Sequence, residues 1–189
     1  MKKPKPQKLV VTQSNSLGKV LQDNITILQQ KMISLYIAKL NPKDIKSRKV
    51  VIPLKEFEFY MNLKRANITR LKATAEELTK ITLSIDKPDG GFLMTAFFTY
   101  VELIKDEKKD EWKLEFNCSE KLLPYLFDLH KNYFKYEFWN VLRLKEMNHA
   151  QLYRLLKQYQ KAGEKIISLE DLKLCLGING SLNQESASL

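Results

Sequence analysis

The hydrophobic period of this chain changes at residue 81, and that change limits the folds open to it. Before it, "NITRLKATAEELTK" (67–80) sets Ile68, Leu71, Ala75 and Leu78 on one face at helical spacing, with Asn67 placed to cap the helix. After it, "ITLSI", "GFLMTAFFTYVELI" and "EWKLEFN" are rich in β-branched and aromatic residues. They are separated by the turn-forming "DKPDGG" and "KDEKKDE". Just upstream, the pattern predicts a short strand at 50–52, a helix over 54–61 and a turn at 63–66. Two short helices across a tight turn form a helix-turn-helix. With a β-hairpin or meander behind it, that unit is a winged helix. The expected fold class is therefore α+β: a winged helix-turn-helix with an antiparallel β-meander.

Other segments extend the plan. Thr26 and Gln29 form a capping box ahead of "ILQQKMISLYIAKL", which is apolar around much of its circumference and reads as a core helix. "SEKLLPYLFDL" predicts a helix capped by Ser119. "HAQLYRLLKQYQ" predicts one capped by Asn148, with Leu152, Leu155, Leu156 and Tyr159 on one side and Arg154 and Lys157 towards the other. "IISLEDLKLCLGI" predicts a short helix that Ser168 starts and Gly177 closes. Residues 167–178 echo 52–63: Leu169 matches Leu54, Leu172 matches Phe57, and Leu176 matches Met61. Such an echo suggests a second winged helix, although helix-turn-helix elements also share this pattern by chance. "NGSLNQESASL" follows it and has no helical period, so this second unit is expected to lack its recognition helix. The expected division is a basic arm at 1–20, a first winged helix at 21–147, the start of a second at 148–178 and a disordered tail at 179–189.

Charge narrows the partners. The net charge is +10, and residues 1–80 carry 17 Lys/Arg against 6 Asp/Glu, whereas 81–189 carry 15 against 16. Such asymmetry favours a polyanion, nucleic acid ahead of membrane. No apolar run approaches the roughly 18–20 residues of a membrane-spanning helix. The basic start lacks the apolar stretch of a signal peptide, so a cytoplasmic location is expected. Cys118 and Cys175 read as reduced thiols. His130 and His149 have no Cys or carboxylate at metal-ligand spacing, and the glycines form no phosphate loop. No catalytic residue, metal or other cofactor is expected.

DNA contact is the reading the residues favour. Opposite its inward face, the 67–80 helix carries Thr69, Arg70, Ala73 and Glu77, with Lys72 nearer the flank. Small side chains at 69 and 73 allow close approach to a groove. Arg70 could reach a guanine edge, while Lys64, Arg65 and Lys72 suit phosphates. Glu76 and Glu77 would repel phosphate, so contact is expected through the N-terminal turns, Asn67 included. Arg48, Lys49 and Lys87 are weaker candidates. The alternative is a protein–protein module without sequence-specific DNA binding. In it, strand residues Trp112, Lys113, Leu114 and Phe116 would pair across a two-fold axis.

At "FNCSEKLLPYL", "FKYEFWNVLRLKEMNHAQLYRLLKQYQ" and "KIISLEDLKLCLGI" the chain resembles the iteron-binding plasmid replication initiators (Rep proteins). Residues 152–159 carry that family's R-L-Y-x-L-L-K-Q-Y motif almost intact, with Gln151 where Arg is usual. The likeness spans roughly 14–178. It implies tandem winged helices that bind double-stranded origin repeats as monomers, help open the duplex, and recruit the bacterial host's initiator and helicase. It also implies dimers, assembled through the first winged helix, that repress their own promoter.

Overall fold

The computed structural model describes residues 8–20, 25–41, 44, 47–127 and 129–178. The expected disordered tail at 179–189 and the first seven residues of the expected arm lie outside them. The rest of that arm is not an arm. Residues Val10–Ser14 form strand β1 and Asn15–Val20 form helix α1, with Val11 and Leu17 fully buried. Gln13 and Ser14 are buried with them. A polar sequence hid a core strand because its partner lies far away: β1 pairs antiparallel with β7 (Tyr133–Glu137).

Helix α2 (Ile27–Lys39) starts from the capping box read in the sequence. Thr26 Oγ1 accepts from the Gln29 amide at 3.2 Å, and Gln29 Oε1 accepts from the Thr26 amide at 2.7 Å. It runs through the middle of the core. The Tyr36 ring meets Phe98 edge-on at 5.0 Å, and its hydroxyl donates to the Arg48 carbonyl at 2.6 Å. Strand β2 (Lys49–Pro53) leads into α3 (Leu54–Tyr60), then α4 (Ile68–Lys80).

The expected meander divides into two hairpins. β3 (Thr82–Asp86) pairs with β4 (Phe92–Ala96) as a wing. β5 (Phe98–Asp106) pairs with β6 (Glu111–Cys118), and β2 joins on β6's other side. The stretch read as one strand breaks at Phe97, which is fully buried. Its amide donates to the Ile81 carbonyl at 2.9 Å, and its own carbonyl accepts from the Ser119 amide at 3.0 Å. Among the described residues the sheets are thus β1-β7, β2-β6-β5 and β3-β4.

Ser119 does not cap the turn that follows. Its hydroxyl accepts from Thr95 Oγ1 at 2.7 Å instead. A 3₁₀ turn at Glu120–Leu122 passes into the short α5 (Leu123–Leu126), and α6 (Phe138–Arg143) follows β7. Asn148 lies inside α7 (Met147–Tyr159), which Glu146 precedes as the capping position.

The faces of α7 are the reverse of those expected. Arg154 is fully buried, while Leu156 is 64% exposed and Leu152 is also exposed. Arg154 Nη1 donates to Gln30 Oε1 and Nη2 to the Gly18 carbonyl, both at 2.7 Å. Gly18 is required there, because a Cβ would stand 2.5 Å from the Phe134 ring and 2.7 Å from Gln158 Nε2. The network continues from Gln30 to Ser34 at 3.0 Å and from Ser34 to the Tyr136 hydroxyl at 3.2 Å. Helix α7 therefore packs on β7 and the start of the chain, so no boundary at 147 separates it from the first unit. Beyond it, α8 (Leu169–Cys175) buries no residue.

Candidate nucleic-acid interface

Helix α4 is set by the turn before it. Asn62 takes a left-handed conformation at φ 53°, and the Leu63 amide donates back to the Glu58 carbonyl at 2.8 Å. Glu58 Oε1 accepts from the Ala66 amide at 2.6 Å, and Asn67 Oδ1 accepts from the Arg70 amide at 3.0 Å. Asn67 is thus spent as the N-cap and acts by placing the helix. Leu71 and Leu78 are its buried residues; Ile68, expected inside, is 49% exposed. The inward face is narrower than expected because nothing among the described residues covers the first turn.

Thr69, Arg70, Lys72 and Ala73 are all exposed in the first half of α4. The acidic second half is partly neutralised. Lys80 Nζ lies 2.6 Å from Glu76 Oε1 and holds that carboxyl below the usual carboxylate range, and Gln29 Nε2 donates to Glu77 at 3.4 Å. Glu76 and Glu77 still leave the N-terminal turns as the more favourable side for an anion.

A cleft of about 530 Å³ opens beside those turns, between α2, the α3–α4 turn, α4 and residues 142–145. Arg65 and Arg70 line it. Lys31, Arg143 and Lys145 line it too, and among the described residues no carboxylate does. Partial burial lowers the Lys31 pKa. Sequence reasoning missed these three cations because they come from segments more than 70 residues apart that only the fold assembles. A hint was present: "VLRLK" sets two cations at the end of a short apolar run.

The remaining candidates are dispersed. Lys64 is exposed in the turn, and Lys87 stands at the wing tip between Asp86 and Asp89. Arg48 donates to the Cys118 carbonyl at 3.5 Å and faces Glu120 at 4.0 Å. Lys49 pairs with Glu115 at 2.6 Å, which places it in the sheet's own electrostatics.

The dimer candidates need correction. Strand β6 is the central strand of its sheet, so both its edges are already paired. Leu114 and Phe116 are 1% exposed core residues, and Lys113 is engaged with Asp106 at 2.5 Å. Only Trp112, 42% exposed, presents substantial apolar surface. Among the described residues, no three His, Cys, Asp or Glu side chains gather as a metal site, and no helix is long and apolar enough to cross a membrane.

Comparison with known proteins bears on this geometry. Residues 10–157 match the family model described as "Initiator Replication protein, WH1". A "Replication initiation protein" of Escherichia coli is 30% identical over 188 residues, covering 93% of this chain and 57% of that protein. The chain thus spans little more than half the length of that relative. Among solved structures, the Pi initiator protein in complex with iteron DNA superposes with a TM-score of 0.71 at 18% identity, covering 91% of this chain and 74% of that one. The likeness establishes the winged-helix fold.

Proposed function

Since this chain belongs to the initiator replication protein family, matching it through the first winged-helix domain, we propose that it binds double-stranded repeats of a plasmid origin and helps start plasmid replication. The observation that carries this reading is the cationic cleft, lined by no carboxylate among the described residues, beside the exposed N-terminal half of α4. The Pi initiator, which shares the fold, is bound to iteron DNA, and that supports a duplex as the partner. Arg70 reads a guanine edge, Thr69 and Ala73 allow the close approach, and Lys64, Arg65 and Lys72 hold phosphates. Lys31, Arg143 and Lys145 complete the phosphate-holding rim. The chemistry is binding, without a catalytic residue or cofactor, in the cytoplasm of a bacterial host whose own initiator and helicase are recruited to the opened origin.

A second reading concerns autorepression by a dimer. Strand β5 has one unpaired edge among the described residues, so a two-fold contact would use β5 with Trp112 at its margin rather than β6.

Selection of duplexes from a random pool tests the main reading, followed by anisotropy of the enriched site against scrambled DNA. Arg70→Ala should reduce the preference for the enriched site by about 10- to 100-fold, the value of one bidentate base contact. An unchanged preference in that variant would overturn the role of α4.

A further inference from the structure

Lysines on the far end of α7 are held in an unusual way. Lys135 and Lys161 lie over the same ring, 5.3 and 5.1 Å from the Tyr133 centroid. Lys157 stands 5.8 Å from the Tyr153 centroid and Lys165 5.0 Å from that of Tyr159. No carboxylate lies within ion-pair distance of any of the four among the described residues. The rings are anchored: all three are half-buried, Tyr153 packs edge-on against Tyr136 at 5.9 Å, and its hydroxyl accepts from Asn140 Nδ2 at 2.9 Å. Of the nearby acids, Glu137 faces Lys8 at 3.9 Å, leaving Glu164 as the one carboxylate within 157–165.

A ring steadies an ammonium without cancelling its charge, whereas a carboxylate would cancel it. The four lysines are therefore positioned and still uncompensated. They are point charges, which suit phosphates and carry no base information. The rings already face lysines, which makes them poor platforms for unstacked bases. Helix α7 starts beside the Arg143–Lys145 rim of the α4 cleft, and its length carries the chain about 20 Å onward. Along a duplex that distance is roughly six base pairs.

We propose that the β7–α7 surface is a second contact to the DNA backbone, in which Lys135, Lys157, Lys161 and Lys165 hold phosphates beyond the bases that α4 reaches. The inference rests on the DNA-binding reading given above. It assigns this end of the chain an electrostatic role that its near-zero net charge conceals. The surface adds affinity and salt dependence and leaves sequence preference to α4.

The test is binding of wild type and the K135Q/K157Q/K161Q/K165Q variant to a labelled random-sequence duplex and to a selected site, across a salt series. Each phosphate contact contributes close to one unit of slope in log affinity against log salt. The variant should lose about three to four units on both duplexes and keep its preference between them. A slope within about one unit of wild type on both would overturn the proposal. K161Q/K165Q, altered only in the exposed segment after α7, should lose about two units, so a folding failure of the fourfold variant leaves the question answerable. Replacing all four lysines with arginine should leave the slope unchanged. If selection enriches no site, the α4 reading fails while the slope on random duplex still reports this surface. Binding to phosphatidylglycerol vesicles that the fourfold variant loses, with its DNA slope intact, would overturn the proposal in favour of a lipid surface.

Discussion

Helices α3 and α8 are built to the same local plan and used differently. Each has seven residues and ends in the same backbone motif. Asn62 at φ 53° follows α3, with the Leu63 amide on the Glu58 carbonyl at 2.8 Å. Gly177 at φ 64° follows α8, with the Ile178 amide on the Lys173 carbonyl at 2.9 Å. Their starts favour α8: Ser168 accepts from the Asp171 amide at 3.0 Å, whereas Pro53 gives α3 no side-chain cap. Yet α3 buries Phe57 and Tyr60, and α8 leaves Leu169 66% and Leu174 60% exposed. The helix with the better local signals has the poorer packing. Isolated helices of this length are marginal in water, so the difference in burial decides which one holds.

The largest effect should come from breaking that burial. Phe57→Ala empties a buried site in a helix packed on β6 and β2 and should cost about 3–5 kcal/mol in chemical denaturation. Leu172→Ala, at the matching position of α8, should cost less than about 1 kcal/mol. Equal losses would mean that α8 is as integral to the core as α3. The helices that precede the two copies differ in kind, and the next effect tests that. Helix α2 is fixed largely by apolar contacts, but α7 by the buried Arg154 between Gln30 and Gly18. Arg154→Ala should cost about 2–4 kcal/mol through lost packing and unpaired acceptors. Its loss should appear first as faster amide exchange in α7, with α2 protected.

These contrasts follow what the sequence could and could not convey. Three of the five expected caps were legible because their chemistry is local: Thr26 with Gln29, Asn67 and Ser168 bond as their spacing predicts, whereas Ser119 is taken by Thr95 and Asn148 lies inside α7. The helix-turn-helix and wing were legible from the change of period at 81. The orientation of α7 was not, because a buried arginine inverts the usual rule for faces. Its partners, Gln30 and the Gly18 carbonyl, lie more than 120 residues away. For the proposed interface, Thr69, Arg70, Lys72 and Arg65 form a run on one helix and its turn that the sequence itself displays. Lys31, Arg143 and Lys145 were not legible in this way, since tertiary contact alone brings them to that cleft. Leu114 and Phe116 alternate as edge residues would, but alternation does not distinguish an edge strand from a central one.

What precedes each copy sharpens the comparison through pH. Strand β2 leads into α3 and is tied to β6 by Glu115, which accepts from Lys49 at 2.6 Å and from the Tyr100 hydroxyl at 2.7 Å. No strand precedes α8. The Lys49 contact holds the Glu115 carboxyl below its ordinary value. A depressed carboxyl stabilises the fold above its unfolded pKa of about 4.3, and that stability is lost as pH falls through the lower folded value. Melting curves should therefore show Glu115→Gln lowering Tm by roughly 3–5 °C at pH 7. The gap should close as the solution is taken below pH 4, while exchange in α8 stays the same in both proteins. A gap that persists in acid would assign the loss to packing rather than charge.

The smallest effect isolates the shared ending. Asn62 and Gly177 occupy equivalent left-handed positions, where alanine is strained by about 1 kcal/mol. The same substitution can thus be made in both copies at nearly the same local cost. In α3 the strained turn joins a helix whose Phe57 and Tyr60 sit in the core, so Asn62→Ala should reach global stability and lower it by about 0.5–1 kcal/mol. In α8 the helix can fray without opening the core, and local opening absorbs the strain. Gly177→Ala should leave the global melt unchanged within error. It should speed amide exchange at Leu176, Gly177 and Ile178, whose amides all donate to carbonyls of that last turn. A global loss for Gly177→Ala as large as that for Asn62→Ala would show that α8 unfolds together with the core, and that the two copies are coupled more tightly than their burial indicates.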